Sequence, residues 1–318
     1  MRFRNAIHIT VDNFASVFKL LLYTVLTGIV FTSLNYLIVR LGLDGIIKGS
    51  ATKEVAELVK GFITALLTGD AASLDVIRSS FSNAFAEFKE LIYHSTGAIV
   101  GTTVGVVLIY LVSRFVNGLG RIAVAGTMND RMSIFSRTSF AGSYFKNLGK
   151  GALYELIYVP VIFVYDIVMA ALCWFLFFEI PSLLSISGWL SVMVAMGLTI
   201  TAVACLEALK MTLISAWIPG LIADDKKISR AFRDSFAAKK HFGRRFACYL
   251  VAVYLIMIIN VLGALCTFGS ALLITLPLSF VFWLSLQFVQ YYEDNNKKYF
   301  ISSRTIMGGE EKPDGLDE

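Results

Sequence analysis

Four ionisable residues stand inside long apolar runs: Glu155 and Asp166 in one, Glu207 and Lys210 in the next. A charge at the centre of a membrane helix costs about 2.5–3.5 kcal/mol on insertion scales, so each such residue needs a reason to be there. Glu207 and Lys210 are spaced i, i+3 and can pair on one helix face. Asp166 lies about 20 Å along its helix from the basic end of the run, past the middle of a bilayer. Two chemistries fit. The side chains form an intramembrane polar cluster that passes a proton or an ion, or they are structural, with Lys210 snorkelling toward one surface and Asp166 toward the other.

Catalytic patterns are missing. The chain contains no HExxH, GxSxG, P-loop or paired CxxC. Tyr165-Asp166 matches half of an intramembrane aspartyl-protease site. Its Gly-x-Gly-Asp partner is absent, because Leu67-Thr68-Gly69-Asp70 lacks the first glycine. Asp224-Asp225 could hold a cation, but Lys226-Lys227 follows at once and reads as a solvated helix start. Cys173, Cys205, Cys248 and Cys266 all fall in apolar segments and read as small buried thiols. His8, His94 and His241 form no ligand motif. The expectation is therefore a protein that is not an enzyme, with no cofactor and no metal centre.

The second chemically charged feature is a basic cluster. Lys226, Lys227, Arg230, Arg233, Lys239, Lys240, Arg244 and Arg245 surround Ile228, Phe232 and Phe236, which recur every four residues. Such a helix lies in a membrane surface, with Phe in the acyl boundary and the cations at anionic headgroups, at about 1 kcal/mol per basic residue. Expected partners are membrane lipids with anionic headgroups, or another membrane protein. Nucleic acid is not expected, because the cations flank apolar segments and build no soluble basic face.

Those residues must be positioned by a membrane scaffold. The 318-residue chain is 57% hydrophobic and 16% charged. Soluble domains run at about 45–50% and about 25%, so polar surface is too scarce here to cover a globule in water. Runs long enough to cross a hydrocarbon core of about 30 Å fall near 15–39, 97–117, 152–178, 189–218, 247–266 and 270–292. The first reads as an uncleaved span. Lys and Arg crowd the amino terminus, the 118–150 and 220–246 loops and the tail, whereas the short 179–188 and 267–269 loops have none. That asymmetry predicts both termini inside, N-in and C-in, in a bacterial cytoplasmic membrane.

The loop over 40–96 carries six basic and seven acidic residues and is read as crossing. Within it, Val55, Leu58, Val59, Phe62, Ile63, Leu66 and Leu67 share one helix face, and Leu74, Ile77, Phe81, Phe85, Phe88, Leu91 and Ile92 share another. With a turn at Thr68-Gly69-Asp70, they predict an amphipathic hairpin over 52–95. It covers the bundle, closes a cavity as a lid, or meets a partner. Gly97, Gly101 and Gly105 form a small-residue ridge, for packing within the bundle or for a homodimer. Pro160 and Pro277 are expected to interrupt their spans, and Pro219 to end one. Residues 293–318 read as a polar tail, disordered at its acidic end.

One device recurs. Asn13-Phe14-Ala15, Asn147-Leu148-Gly149 and His241-Phe242-Gly243 each follow a segment with spaced apolar residues and precede a span. Three units of interfacial helix plus two-span hairpin result, the first holding the large insertion. The segment Ala231 to Phe246 resembles the small, aromatic, basic and Asn-Phe/Trp pattern that leads each span in the membrane domain of glycerophosphodiester phosphodiesterases. That resemblance implies a helical membrane domain without catalysis, since the phosphodiesterase domain is absent from this chain. The large first loop departs from the pattern.

The reading is an all-α, polytopic six-span transmembrane bundle over 1–292 with interfacial amphipathic helices. It would act in membrane organisation, assembly or lipid-associated support. The alternative is a transporter or channel subunit that uses the polar cluster between spans three and four.

Overall fold

The computed structural model describes residues 2–68, 93–180, 188–237, 242–302 and 305–308, with isolated positions between 80 and 91. The helices in chain order are α1 Arg2–Asp12, α2 Phe14–Ile47, α3 Ser50–Thr68, α4 Thr96–Ile134, α5 Phe140–Trp174, α6 Gly188–Ile214, α7 Trp217–Ala223, α8 Ile228–Ala237, α9 Phe242–Thr267 and α10 Leu272–Asp294. A π-helical turn, Phe175–Glu179, extends α5. A two-stranded antiparallel hairpin, β1 Tyr299–Ser302 and β2 Thr305–Met307, comes after α10. The fold is an all-α bundle.

Among the described residues, six helices are long and apolar enough to span a membrane. Their flanks agree with that solvent. On α5, Leu153, Leu156, Val161, Val164 and Val168 are between 58% and 65% exposed. In water this would be an apolar patch far larger than monomers tolerate; against lipid tails it carries no penalty. The chain is a multi-pass membrane protein.

The described residues divide into two compact units, 1–26 with 114–318, and 27–113. In the larger unit α10 is the central helix. More than half of its apolar window is buried, against 17% or less for the other five spans. Its burial on several faces is that of a helix enclosed by others. The stripe Asn5, Ala6, Ile9 and Thr10 buries α1 against it. Thr10 Oγ1 donates to Ser285 Oγ at 2.9 Å, and the Phe3 and Phe282 rings meet edge-on at 5.4 Å. α9 packs on α6 and on α10. Asn260 joins the last two spans: it accepts from Thr275 Oγ1 at 2.7 Å, and its amide donates to Ser279 Oγ at 3.2 Å. Side-chain hydrogen bonds of this kind hold helices together where lipid removes the hydrophobic drive.

One close helix contact was not among the expected ones. Gly118 lies against the Glu155 carboxylate, Gly151 against Ile122, and Gly126 against Ser143 and Asn147. Each four-residue step along α4 meets a four-residue step back along α5, the register of antiparallel i±4 ridges. Ser143 Oγ crosses the seam to donate to the Ala123 carbonyl at 2.7 Å.

In the smaller unit, Gly105 packs on Ile38 and Gly42 on Thr102, while Gly97 and Gly101 face open space. Among the described residues, only the last glycine of the expected ridge is at a helix contact. The first amphipathic pattern forms α3; nearly all of the second lies outside the described residues.

Three local expectations are corrected. Asn13 does separate α1 from α2, but Asn147-Leu148-Gly149 sits inside the unbroken α5. The Asn147 amide donates to the Ser143 carbonyl at 3.0 Å, as the Asn13 amide does to the Ile9 carbonyl, so this bond is common to both sites and the difference lies upstream. Ser139 caps that helix eight residues earlier, accepting from Gly142 N at 3.0 Å. Pro160 and Pro277 are likewise accommodated inside continuous helices. Pro219 does not stop the chain either: the break falls at Ser215-Ala216, and Pro219 stands in the first turn of α7, where its missing N–H is not needed.

The tail folds back at its near end. Tyr299 on β1 is fully buried; its hydroxyl accepts from Asn5 Nδ2 and donates to Glu293 Oε1, both at 2.9 Å. Residues 309–318 lie outside the described part.

Candidate functional site

Polar chemistry gathers where α1, α7, α8, the start of α9 and the end of α10 meet. Arg2 donates through Nε to Glu293 and through a second nitrogen to Asp294, each at 2.7 Å. Arg245 donates to the other Asp294 oxygen. Lys226 reaches Asp234 at 3.1 Å and Asp224 at 3.6 Å. Asp224 also accepts from Lys297 and from the Tyr291 hydroxyl, the latter at 2.7 Å.

A polar cavity of about 550 Å³ opens among these groups. Its charged lining is Arg2, Lys226 and Arg245 against Asp234, Glu293 and Asp294, three of each sign. The charges are spent on one another, so the network acts as a latch between the two ends of the chain.

Outside the spans the network shifts the ionisation of its members. Burial pushes Asp224 up, but the hydrogen bonds from Lys297 and Tyr291 outweigh it and hold the carboxyl below its ordinary range. Burial pulls Lys226 down, yet Tyr291 and Asp234 leave it above its usual value. Arg2 is raised too, Asp294 and Glu293 overcoming desolvation. Burial lifts the Tyr299 phenol.

Beside the latch lies a site of opposite character, an apolar groove of about 710 Å³ between α5, α7 and α8. Trp217 and Leu221, 3% and 1% exposed, form its floor. Leu153 and Ile157 form one wall, Ile228 and Phe232 the other. An aromatic stack stiffens the floor: Tyr154 and Tyr158 stack at 5.1 Å, Trp217 meets Tyr154 edge-on at 4.8 Å, and Phe232 leans on Trp217 at 4.7 Å. Lys150, Asp225, Lys227 and Ser229 stand at the rim, with Lys150 paired to Asp225. Asp225 makes the turn between α7 and α8 with φ 52°, a left-handed value that Asp tolerates.

The eight cations expected to face headgroups separate into three sets. Lys227, Arg230, Arg233 and Arg244 are exposed, and none has an ion-pair partner among the described residues. Lys226 and Arg245 turn inward; Arg245 is only 7% exposed and serves the latch instead. Lys239 and Lys240 lie outside the described residues.

The intramembrane charges also divide. Lys210 donates to Glu207 at 2.7 Å, the i, i+3 pair, and its ammonium sits 4.6 Å over the Tyr165 ring of α5. Asp166 does not join them. It pairs with Arg114 of α4, a span cation absent from the expected set. Glu155 is buried at the Gly118 contact. Two separate ion pairs thus replace the single cluster envisaged between spans three and four. Arg114 was detectable as a lone cation in an apolar run. Gln287 and Gln290, which line the polar cavity from α10, were detectable as paired amides at i, i+3 in a span.

Comparison with protein-family models, curated proteins and solved structures finds no match to this chain. The likeness to the phosphodiesterase membrane domain rests on the sequence pattern alone.

Proposed function

We propose that this chain is a non-enzymatic protein of a bacterial cytoplasmic membrane, with both termini inside. It acts in membrane organisation, assembly or lipid-associated support, holding anionic lipid at a basic cytosolic surface. The observation that carries this reading is the set of exposed cations Lys227, Arg230, Arg233 and Arg244, which have no ion-pair partner among the described residues and stand on or beside helices that lead into spans. The cations spent on the latch cannot contribute; these four can, each attracting anionic headgroups by about 1 kcal/mol. Arg114 pairs with Asp166 and Lys210 with Glu207, which supports a structural role for these four over transport.

The test is lipid retention. Protein extracted into nanodiscs of mixed phosphatidylglycerol and phosphatidylethanolamine should enrich the anionic lipid. Replacing Arg230, Arg233 and Arg244 together by Gln should remove most of that enrichment at low salt. Unchanged enrichment in the triple variant counts against the proposal. Thiol labelling that found the 226–245 segment outside the cell would count against the orientation.

A further inference from the structure

We propose that the groove between α5, α7 and α8 is a binding site for one anionic phospholipid, with an acyl chain on the Trp217 floor and the phosphate between Lys150 and Lys227. This deepens the lipid-holding function and rests on it for the side of the membrane, but of the four surface cations it uses Lys227 alone.

Three observations support this occupant. The first is polarity along the groove. Lys150 stands where α5 leaves the basic end, and Leu153 and Ile157 follow one and two turns further in. Over those seven residues the helix rises about 10 Å. Charge at the mouth and hydrocarbon walls below match a headgroup and its chain; a water-soluble ligand has no use for such walls. The second is rim charge. Lys226 also lines the groove, but its charge is met by Asp234 and Asp224; with that pair set aside, Lys150 and Lys227 stand against Asp225, a net charge of one positive. One phosphodiester neutralises it. A zwitterionic headgroup would bring an ammonium back to the same rim. The third is shape. The floor is buried and fixed by stacked rings, while Leu153, Ile157 and Phe232 are 58%, 47% and 42% exposed, walls left uncovered by protein. The volume falls within the range of about 300–1,000 Å³ typical of small-molecule sites.

Trp217 supplies the probe. In a variant with Trp174, Trp189 and Trp283 replaced by Phe, Trp217 is the sole tryptophan. Reconstitution with brominated phosphatidylglycerol should quench it at a lower mole fraction than brominated phosphatidylethanolamine of the same chains. Lys150→Gln and Lys227→Gln should each raise the half-quenching fraction of the anionic lipid about fivefold. Lys150→Arg should restore it. Leu153→Phe with Ile157→Phe, which leaves the lysines in place, should fill the groove and weaken quenching by both lipids. Equal quenching by the two lipids, unaltered by the lysine variants, would mean ordinary boundary lipid and overturn the site. Absence of quenching by either would mean that protein covers the groove, and would overturn it equally. Arg230, Arg233 and Arg244 are untouched here, so a failure of the surface reading and a failure of the groove give separate signatures.

Discussion

Arg114 on α4 and Asp166 on α5 form an ion pair between two apolar helices. In lipid neither has water to fall back on. Asp166→Asn should therefore destabilise the protein by about 2–3 kcal/mol, the cost of a stranded cation at that depth. Replacing both residues by Leu should recover most of the loss, because the pair gains little over well-packed apolar groups. Thermal melting in detergent of the wild type, Arg114→Leu, Asp166→Leu and the double variant gives the coupling directly.

The glycine contacts predict opposite effects of one substitution. At Gly118 a methyl group would run into Glu155, and at Gly126 into Ser143 and Asn147. Gly118→Ala and Gly126→Ala should each cost about 1–3 kcal/mol by overpacking. Gly97 and Gly101 face open space, so alanine there should be neutral or stabilising by up to about 1 kcal/mol. Melting temperatures should split the four variants into two pairs.

Acid should loosen the latch at Asp224. Its folded pKa is depressed, so its contribution is complete above the unfolded value of about 3.9 and fades as pH falls from there through the lower folded value. Lys226 gives the opposite arm: its pKa is raised, so its contribution is full below about 10.4 and is lost as pH climbs through the folded value. Hydrogen exchange across 297–302 should accelerate at both extremes. Asp224→Asn should flatten the acid arm and leave much of the rest.

Tyr299 tests whether the tail is truly docked. Tyr299→Phe removes the hydroxyl shared by Asn5 and Glu293 and should cost about 1–3 kcal/mol. Tyr299→Ala should cost about 3–5 kcal/mol by emptying a fully buried site. Both should open the tail to protease in proportion.

The apolar runs were legible because a lipid solvent demands length and hydrophobicity from each span, and those are properties of contiguous sequence. The Glu207–Lys210 pair was legible for a similar reason, both partners being on one helix. Asn147 shows the limit. Its triplet looked like Asn13-Phe14-Ala15, and both asparagines do donate to the carbonyl four residues back. One marks a break and the other does not, because Ser139 had already started the second helix. The sign of Lys226 and Arg245 was readable, but their acidic partners Asp234 and Asp294 were a matter of tertiary approach. Asp166 was assigned a neighbour from loop length, whereas helix packing gave it Arg114 instead.

The docking of α1 against α10 and β1 bears on biosynthesis. Thr10 and Ser285 are separated by 275 residues. At about 5–20 residues per second, the ribosome needs roughly 15–55 s to make the segment between them. Throughout that interval the newborn amino terminus has a greasy stripe, Ala6 and Ile9, and a guanidinium at Arg2 whose carboxylates do not yet exist. Closure of the bundle thus waits on the arrival of α10, and a ribosome that stalls before Glu293 leaves α1 unmoored.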